Sequence, residues 1–211
     1  MPELKVIDIK LKIVRGRPSP NEKRFSYSTL VEYIIDPTDN SKNLTKDPTD
    51  TSKKLTIGVI PPTYFILKQV LKQDLDDLER VIYHNVREDD RFFFQDLFLE
   101  NNLMKISMRK ALIEIVDRVI IDTINRLRED TYNFAASIYL NNGQRIHDVM
   151  PSDAVIIALL ADKNIYIDTT LLELKEKIDR EIEEKTEPKA EGSPTDEEGK
   201  KDDSISKNLY T

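Results

Sequence analysis

Two aspartates on either side of a proline give the chain its most chemically suggestive stretch. In Arg145–Leu160, RIHDVMPSDAVIIALL, Asp148 and Asp153 lie five positions apart across Pro151, with Ser152 beside them. The residues before the proline have the polar and charged composition of a strand end, and the run from Ala154 to Ala161 is almost wholly apolar. Proline is pre-set for the first turn of a helix, where Ser or Asp can accept hydrogen bonds from the free N–H groups. A helix without a polar face is buried on most sides. The two carboxylates therefore flank the mouth of a buried helix, and their side chains can converge. Mg²⁺ is typically held through one or two such carboxylates with waters completing its shell, and it can offset charge on a phosphodiester while generating a nucleophile. Asp148 and Asp153 are thus the candidate catalytic pair and candidate metal ligands, with Mg²⁺ or Mn²⁺ as the cofactor. Asp122, on a neighbouring strand, is a third candidate ligand. Ser152 and Arg145 are candidate substrate-binding residues.

The same side chains also admit plain structural roles. An acid in the first turn favours a helix through its dipole, which accounts for Asp153, and Ser152 reads as a cap. His147 points away from Asp148 if the strand is regular, so the two make poor partners. His84 reads as an exposed loop residue. With no cysteine in the chain, disulfides, thiolate metal sites and cysteine nucleophiles are excluded. No catalytic triad, phosphate-binding glycine loop or zinc-ligand spacing is present, and no organic cofactor is expected.

The elements that must position these residues follow from periodicity and punctuation. Leu4–Val14 alternates through Ile7, Ile9, Leu11 and Ile13 as a strand, and Phe25–Ile35 is a second, rich in β-branched and aromatic residues. A tandem repeat follows, DPTDNSKNLTK at 36–46 and DPTDTSKKLTI at 47–57, and two such turn-rich units are too few for a solenoid. It reads as a lengthened hairpin loop, with an insertion over 36–56. Leu55–Ile60 is a third strand, and helical spacing runs from Thr63 to Ile82, then again over Asp89–Leu103. The second half repeats the order. A short helix over Lys105–Ile115 precedes a strand around VDRVIIDTI; strands at Thr131–Leu140 and Gln144–Met150 lead to the Pro151 helix. Asn164–Ile167 is a last strand, and Asp168-Thr169-Thr170 caps a last helix with Leu171, Leu174, Ile178 and Ile182 on one face.

The chain has 211 residues, 34% of them charged, a formal net charge of −7 and no run of apolar residues long enough for a membrane span. Its N-terminus lacks the uninterrupted apolar segment of a signal peptide, so a cytoplasmic location without a membrane partner is expected. From Glu181 onward, ten acidic and five basic side chains carry −5 of that charge. The body is left near neutral, without a strong basic footprint for nucleic acid, although it keeps 27 of the 32 Lys and Arg. Abundant Ile, Lys and Glu with no Cys is in keeping with a thermophilic source. The expected organisation is one α+β domain over 1–182, with a disordered acidic tail over 183–211. Within it two β3α2-type repeats, 1–104 and 105–182, surround a single barrel-like mixed sheet. LKVIDIKLKI aligns with VDRVIIDTIN, FSYSTLVEYII with TYNFAASIYLN, and LTIGVIPPTYFILKQVL with QRIHDVMPSDAVIIALL.

Residues Arg118 to about Leu174 resemble the bifunctional nuclease (BFN, DUF151) domain family. Val119-Ile120-Ile121-Asp122, Asp130-Thr131-Tyr132, Asp148 with Pro151-Ser152-Asp153-Ala154, and Asn164-Ile165-Tyr166-Ile167 carry the likeness. The first half fits more loosely, through Ile57-Gly58 and Asp96-Leu97. The resemblance implies an α+β fold with a barrel-like sheet built from two repeats, and nuclease activity on RNA and DNA. Two positions depart from it: Gln95 stands where the family commonly has His, and Met150 where it commonly has Arg. Those changes remove a general base and a phosphate clamp. The expected function is therefore a metal-assisted nuclease or, from a different class, a non-catalytic RNA- or ribosome-associated binding protein. Nucleic acid, RNA before DNA, or the ribosome is the expected partner, and a homo-oligomer is plausible.

Overall fold

The computed structural model describes residues 3–16, 26–36, 53–86, 102–128 and 131–186. Most of the tandem repeat, the expected helix over Asp89–Leu103 except its last two residues, and the tail beyond residue 186 lie outside that range. Among the described residues seven strands form one mixed sheet: β1 (Glu3–Arg15), β2 (Tyr27–Ile35), β3 (Lys54–Val59), β4 (Val116–Arg126), β5 (Tyr132–Leu140), β6 (Arg145–Val149) and β7 (Ile165–Asp168). The helices are α1 (Pro61–Val70), α2 (Asp77–Val86), α3 (Asn102–Ile115), α4 (Pro151–Ala161) and α5 (Thr169–Thr186). The strand order is β3-β2-β1-β7-β4-β5-β6, so the sheet is open rather than closed, with β3 and β6 at its edges. Two antiparallel meanders, β1–β3 and β4–β6, are joined through β7, which runs antiparallel to β1 and parallel to β4.

Bulges explain where simple alternation fails. In β1 the register shifts between Val6 and Asp8, and an extra residue in a strand moves every later side chain to the other face. Leu4 and Val6 are buried before the shift and Ile9 after it, while Ile7 is 53% exposed. The expectation that Ile7 starts the buried series is corrected accordingly. The core is aliphatic: Val31, Ile35, Leu55, Leu67, Val119, Ile121, Val155 and Ile167 are all fully or almost fully buried.

α4 is the central helix. It packs against α1, α3, β4 and β5, and Ala154, Val155, Ala158 and Ala161 are completely inaccessible. Three alanines of eleven residues let the neighbouring elements approach closely, as a helix enclosed on several sides requires. Its first residue is Pro151 and its N-cap is Met150, which makes no side-chain cap bond. Ser152 is therefore not the cap that its position implied.

The continuous helix expected over Thr63–Ile82 is two helices. Lys72 adopts φ 56°, a left-handed conformation that ends α1. Asp76 then caps α2 through a reciprocal pair: the Glu79 N–H donates to Asp76 Oδ1 at 2.8 Å and the Asp76 N–H to Glu79 Oε2 at 2.8 Å. Glu79 is only 3% exposed and also accepts hydrogen bonds from the Tyr64 hydroxyl and, at 2.7 Å, from Lys68 Nζ. Burial pushes its carboxyl up, but these hydrogen bonds outweigh burial and hold it below the usual carboxylate range. On α5, Leu171, Leu172 and Ile178 are buried, whereas Leu174 is 44% exposed. Leu172 takes the inward place expected of Leu174. No helix among the described residues is long and apolar enough to cross a membrane.

Candidate functional site

The five singled-out residues fall into three different settings. Asp148 is exposed and lies in the edge strand β6 with φ 57°. Val149 pairs with Ala136 and Ile146 with Ile138, so His147 and Asp148 together face the single residue Ser137. This is a bulge. Opposite orientation of His147 and Asp148 presumed a regular strand, and that premise does not hold here. Asp is among the few L residues that tolerate the left-handed region, which gives Asp148 a conformational reason to be where it is.

Asp153 occupies the first turn of α4, where its backbone N–H donates to the Met150 carbonyl at 3.0 Å. Next to it, Ser152 is 4% exposed and lines a groove. That groove has a volume of about 870 Å³ and lies between the start of β2, the end of β3, the start of β5 and the first turn of α4. Pro61 and Pro151, which open α1 and α4, both line it. So does Tyr132, whose hydroxyl donates to Asp179 at 2.8 Å; burial, reinforced by that carboxylate, pushes the hydroxyl up to about 12. Among the described residues the lining contains no Asp, Glu, Lys, Arg or His.

Asp122 and Arg145 meet. Asp122 occupies a register shift in β4, between Ile121 and Thr123, and its side chain is 8% exposed. Arg145 Nη2 donates to Asp122 Oδ2 at 2.6 Å and to Ser137 Oγ at 2.9 Å, while Thr123 Oγ1 donates to Asp122 Oδ1 at 3.0 Å. An ion pair this short, with further hydrogen bonds on both partners, is charge-assisted and positionally specific. The Asp122 carboxylate is thus engaged by a guanidinium. Among the described residues, no three His, Cys, Asp or Glu side chains gather closely enough to hold a metal ion. The set Asp122, Asp148 and Asp153 does not fit Mg²⁺ or Mn²⁺ as a common three-carboxylate site.

Residues that sequence reasoning did not single out complete a different arrangement. Tyr139 of β5 pairs in register with Arg118 of β4 and with Arg145 of β6. The three form a row across adjacent strands. Both guanidiniums lie over the Tyr139 ring, Arg118 at 4.5 Å and Arg145 at 5.1 Å from its centre, within cation–π range. Each arginine side chain is about a third exposed. Arg118 also pairs with Asp117 at 2.6 Å and lies 3.5 Å from Glu3. Burial disfavours its charge, but the Asp117 and Glu3 carboxylates outweigh that and raise its pKa further. The row was invisible in the sequence because positions 118, 139 and 145 become neighbours only through strand register. Its sole local signal is an aromatic residue in a strand flanked by strands carrying arginine. Comparison with known families and curated proteins adds no name to this geometry: no family model matches the chain, and no curated protein matches it.

Proposed function

We propose that this protein is a non-catalytic RNA-associated binding protein, and that the Arg118–Tyr139–Arg145 row contacts the nucleic acid. The carrying observation is the row itself: one aromatic ring between two partly exposed guanidiniums on neighbouring strands. Bases stack on aromatic rings and on guanidinium planes, and arginine engages phosphate. Both arginines are partly neutralised by Asp122, Asp117 and Glu3, so phosphate must compete for them, and binding is moderate and salt-dependent. A labelled single-stranded RNA of mixed sequence, titrated with the full chain and followed by fluorescence anisotropy, tests this. Tyr139→Ala is expected to weaken binding by about tenfold, the order of one lost base stack. Binding that is undiminished in Tyr139→Ala and in Arg118→Ala sinks the reading, as does no binding at low salt.

A second reading, a metal-assisted nuclease, is favoured by one observation: Asp148 sits in a left-handed bulge just before the helix that carries Asp153 in its first turn. Bulges re-aim side chains beside active sites. Its roles follow the resemblance, with Asp148 and Asp153 as acid–base or metal-binding groups and Ser152 and Arg145 toward substrate. Mg²⁺- or Mn²⁺-dependent degradation of RNA or DNA, abolished by EDTA and by Asp148→Asn with Asp153→Asn, would establish it over the binding reading. Likeness to the bifunctional nuclease domain family belongs to this second reading, association with the ribosome belongs to the binding reading, and a cytoplasmic location is proposed with either.

We also infer that the two meanders belong to two β3α2-type repeats around a single barrel-like mixed sheet. In support, each meander leads through a proline into a helix, and corresponding parts of both line the same groove.

A further inference from the structure

The row at Tyr139 continues across the sheet. Two positions along β4 from Arg118 stands Ile120, which pairs with Tyr166 of β7, and Tyr166 pairs in turn with Lys5 of β1. Their chain neighbours Val119, Ile121, Ile165, Ile167, Leu4 and Val6 all belong to the core cluster that includes Val155 and Ala158 of α4. Side chains alternate between the two faces of a strand, so Lys5, Tyr166 and Ile120 share the face opposite α4. Arg118 and Ile120 lie in unbroken register against Tyr139 and Ser137, which puts Arg118, Tyr139 and the paired Arg145 on that face as well. Tyr166 is partly exposed and Lys5 exposed. Five adjacent strands, from β6 to β1, thus present one series: Arg145, Tyr139, Arg118, Tyr166, Lys5.

We propose that this series is a binding track for single-stranded RNA, in which Tyr139 and Tyr166 each take one unstacked base and Lys5 takes a phosphate beyond the second ring. The inference rests on the RNA-binding reading and adds to it the form of the nucleic acid and two further residues. Spacing chooses the ligand. Tyr139 and Tyr166 are two strands apart, about 10 Å at the usual inter-strand distance. They are also offset by two residues along β4, about 7 Å of strand. Their backbones are therefore separated by about 12 Å. Bases stacked in a helix follow one another every 3.4 Å or so, roughly a third of that separation. Two bases lying on the two rings are then not stacked neighbours, and the strand between them is splayed. A duplex holds its bases paired and stacked, whereas the bases of a single strand can be drawn apart onto aromatic side chains. Sheets that carry aromatic residues on adjacent strands stack two or three bases in this manner. Charge accompanies the spacing: a cation stands on either side of Tyr139, and Lys5 stands beyond Tyr166, so the phosphates beside each stacked base meet a positive group.

Uridine oligomers of increasing length, from the dinucleotide to the octamer, titrated with the full chain and followed by fluorescence anisotropy, test the track. Affinity should rise with length, because the dinucleotide is too short to lie on both rings. Tyr166→Leu should weaken octamer binding by about tenfold, the order of one lost base stack, and flatten the rise with length. Tyr166→Phe, which restores the ring, should recover most of that loss. Lys5→Gln, at an exposed position, should lower the slope of log affinity against log salt by about 0.7, one single-strand phosphate contact. An RNA duplex of mixed sequence should bind more weakly than the octamer at the same salt. If Tyr139→Ala weakens the octamer and Tyr166→Leu does not, the track ends at Arg118: this inference is overturned and the RNA-binding reading stands. A loss in Tyr166→Leu that Tyr166→Phe does not recover reflects packing and overturns it too, as does a duplex bound as tightly as the octamer. If no oligomer binds at low salt, or none of the variants weakens binding, both readings fail together.

Discussion

The two strand–proline–helix units differ most in where they spend their charged groups. In the unit β1–β3 with α1 and α2, the buried acids serve the fold. Glu32 of β2 is held between Lys12 at 2.7 Å and Lys54 at 3.3 Å on the neighbouring strands, and Glu79 ties α1 to α2 through Tyr64 and Lys68. The unit β4–β6 with α4 buries one acid side chain, Asp122 paired with Arg145, and otherwise keeps its site charges nearer the surface: Arg118 and Arg145 flank Tyr139, and Asp148 is exposed at a bulge. Even the turns into the helices are matched in form and not in content. Ile60 precedes Pro61 and Met150 precedes Pro151, neither making a side-chain cap, yet only the second turn has acids beside it. The same backbone unit thus supports a structural use of charge in one half and an exposed, addressable use in the other.

The largest expected effect tests the structural half. Glu79→Ala leaves Lys68 and the Tyr64 hydroxyl without their buried partner, and should cost about 3 kcal/mol, read from the urea midpoint at constant m-value. A loss under about 0.5 kcal/mol, the range of ordinary surface substitutions, would remove the contrast. Acid should act on the same half. Lys12 and then Lys54 hold the Glu32 carboxyl low against the opposing effect of burial, and Glu79 is likewise lowered on balance. Groups depressed in the folded state add stability above their unfolded pKa and lose it as pH falls through the folded value. Urea stability should therefore decline from about pH 5 downward, and Glu32→Gln should flatten that decline. An unchanged slope in this variant would show that the acid-labile groups lie elsewhere.

Smaller effects sharpen the other half. If Asp148 is chosen for its backbone, Asp148→Gly should stabilise by up to about 1 kcal/mol, because glycine adopts φ 57° without a steric penalty. Asp148→Val should cost about 1–2 kcal/mol. Thermal unfolding of both variants distinguishes this from a purely chemical role, in which the two would unfold alike. The smallest effect returns to the first half. Tyr33 is fully buried, and among the described residues its hydroxyl has no hydrogen-bond partner. Tyr33→Phe should change stability by less than about 1 kcal/mol, in the stabilising direction, since nothing is lost and a polar group leaves the core. A clear destabilisation would reveal a partner for that hydroxyl.

Much of the fold was legible along the chain. Strands with period-two patterning and the apolar α4 run emerged within a residue or two of their observed bounds, because local periodicity reports burial directly. The break in Thr63–Ile82 also had a local signal, since Asp76-Asp77-Leu78-Glu79 carries the Asp-x-x-Glu spacing of a capping box. Apolar periodicity alone passed over it.

What the sequence determined by itself was the course of the strands, the buried character of α4, and the presence of acids in only one of two similar turns. The tertiary structure decided which charged groups meet. Asp122 lies 23 positions from Arg145 and forms an ion pair with it at 2.6 Å, whereas Asp148 and Asp153, five positions apart, share no three-group metal cluster with it. The reason is register. Bulges at Ile7, Asp122 and Asp148 each re-aim side chains by one residue, and a single-residue slip exchanges the two faces of a strand. Composition and spacing do not encode those slips locally; the packing of the sheet against its helices sets them.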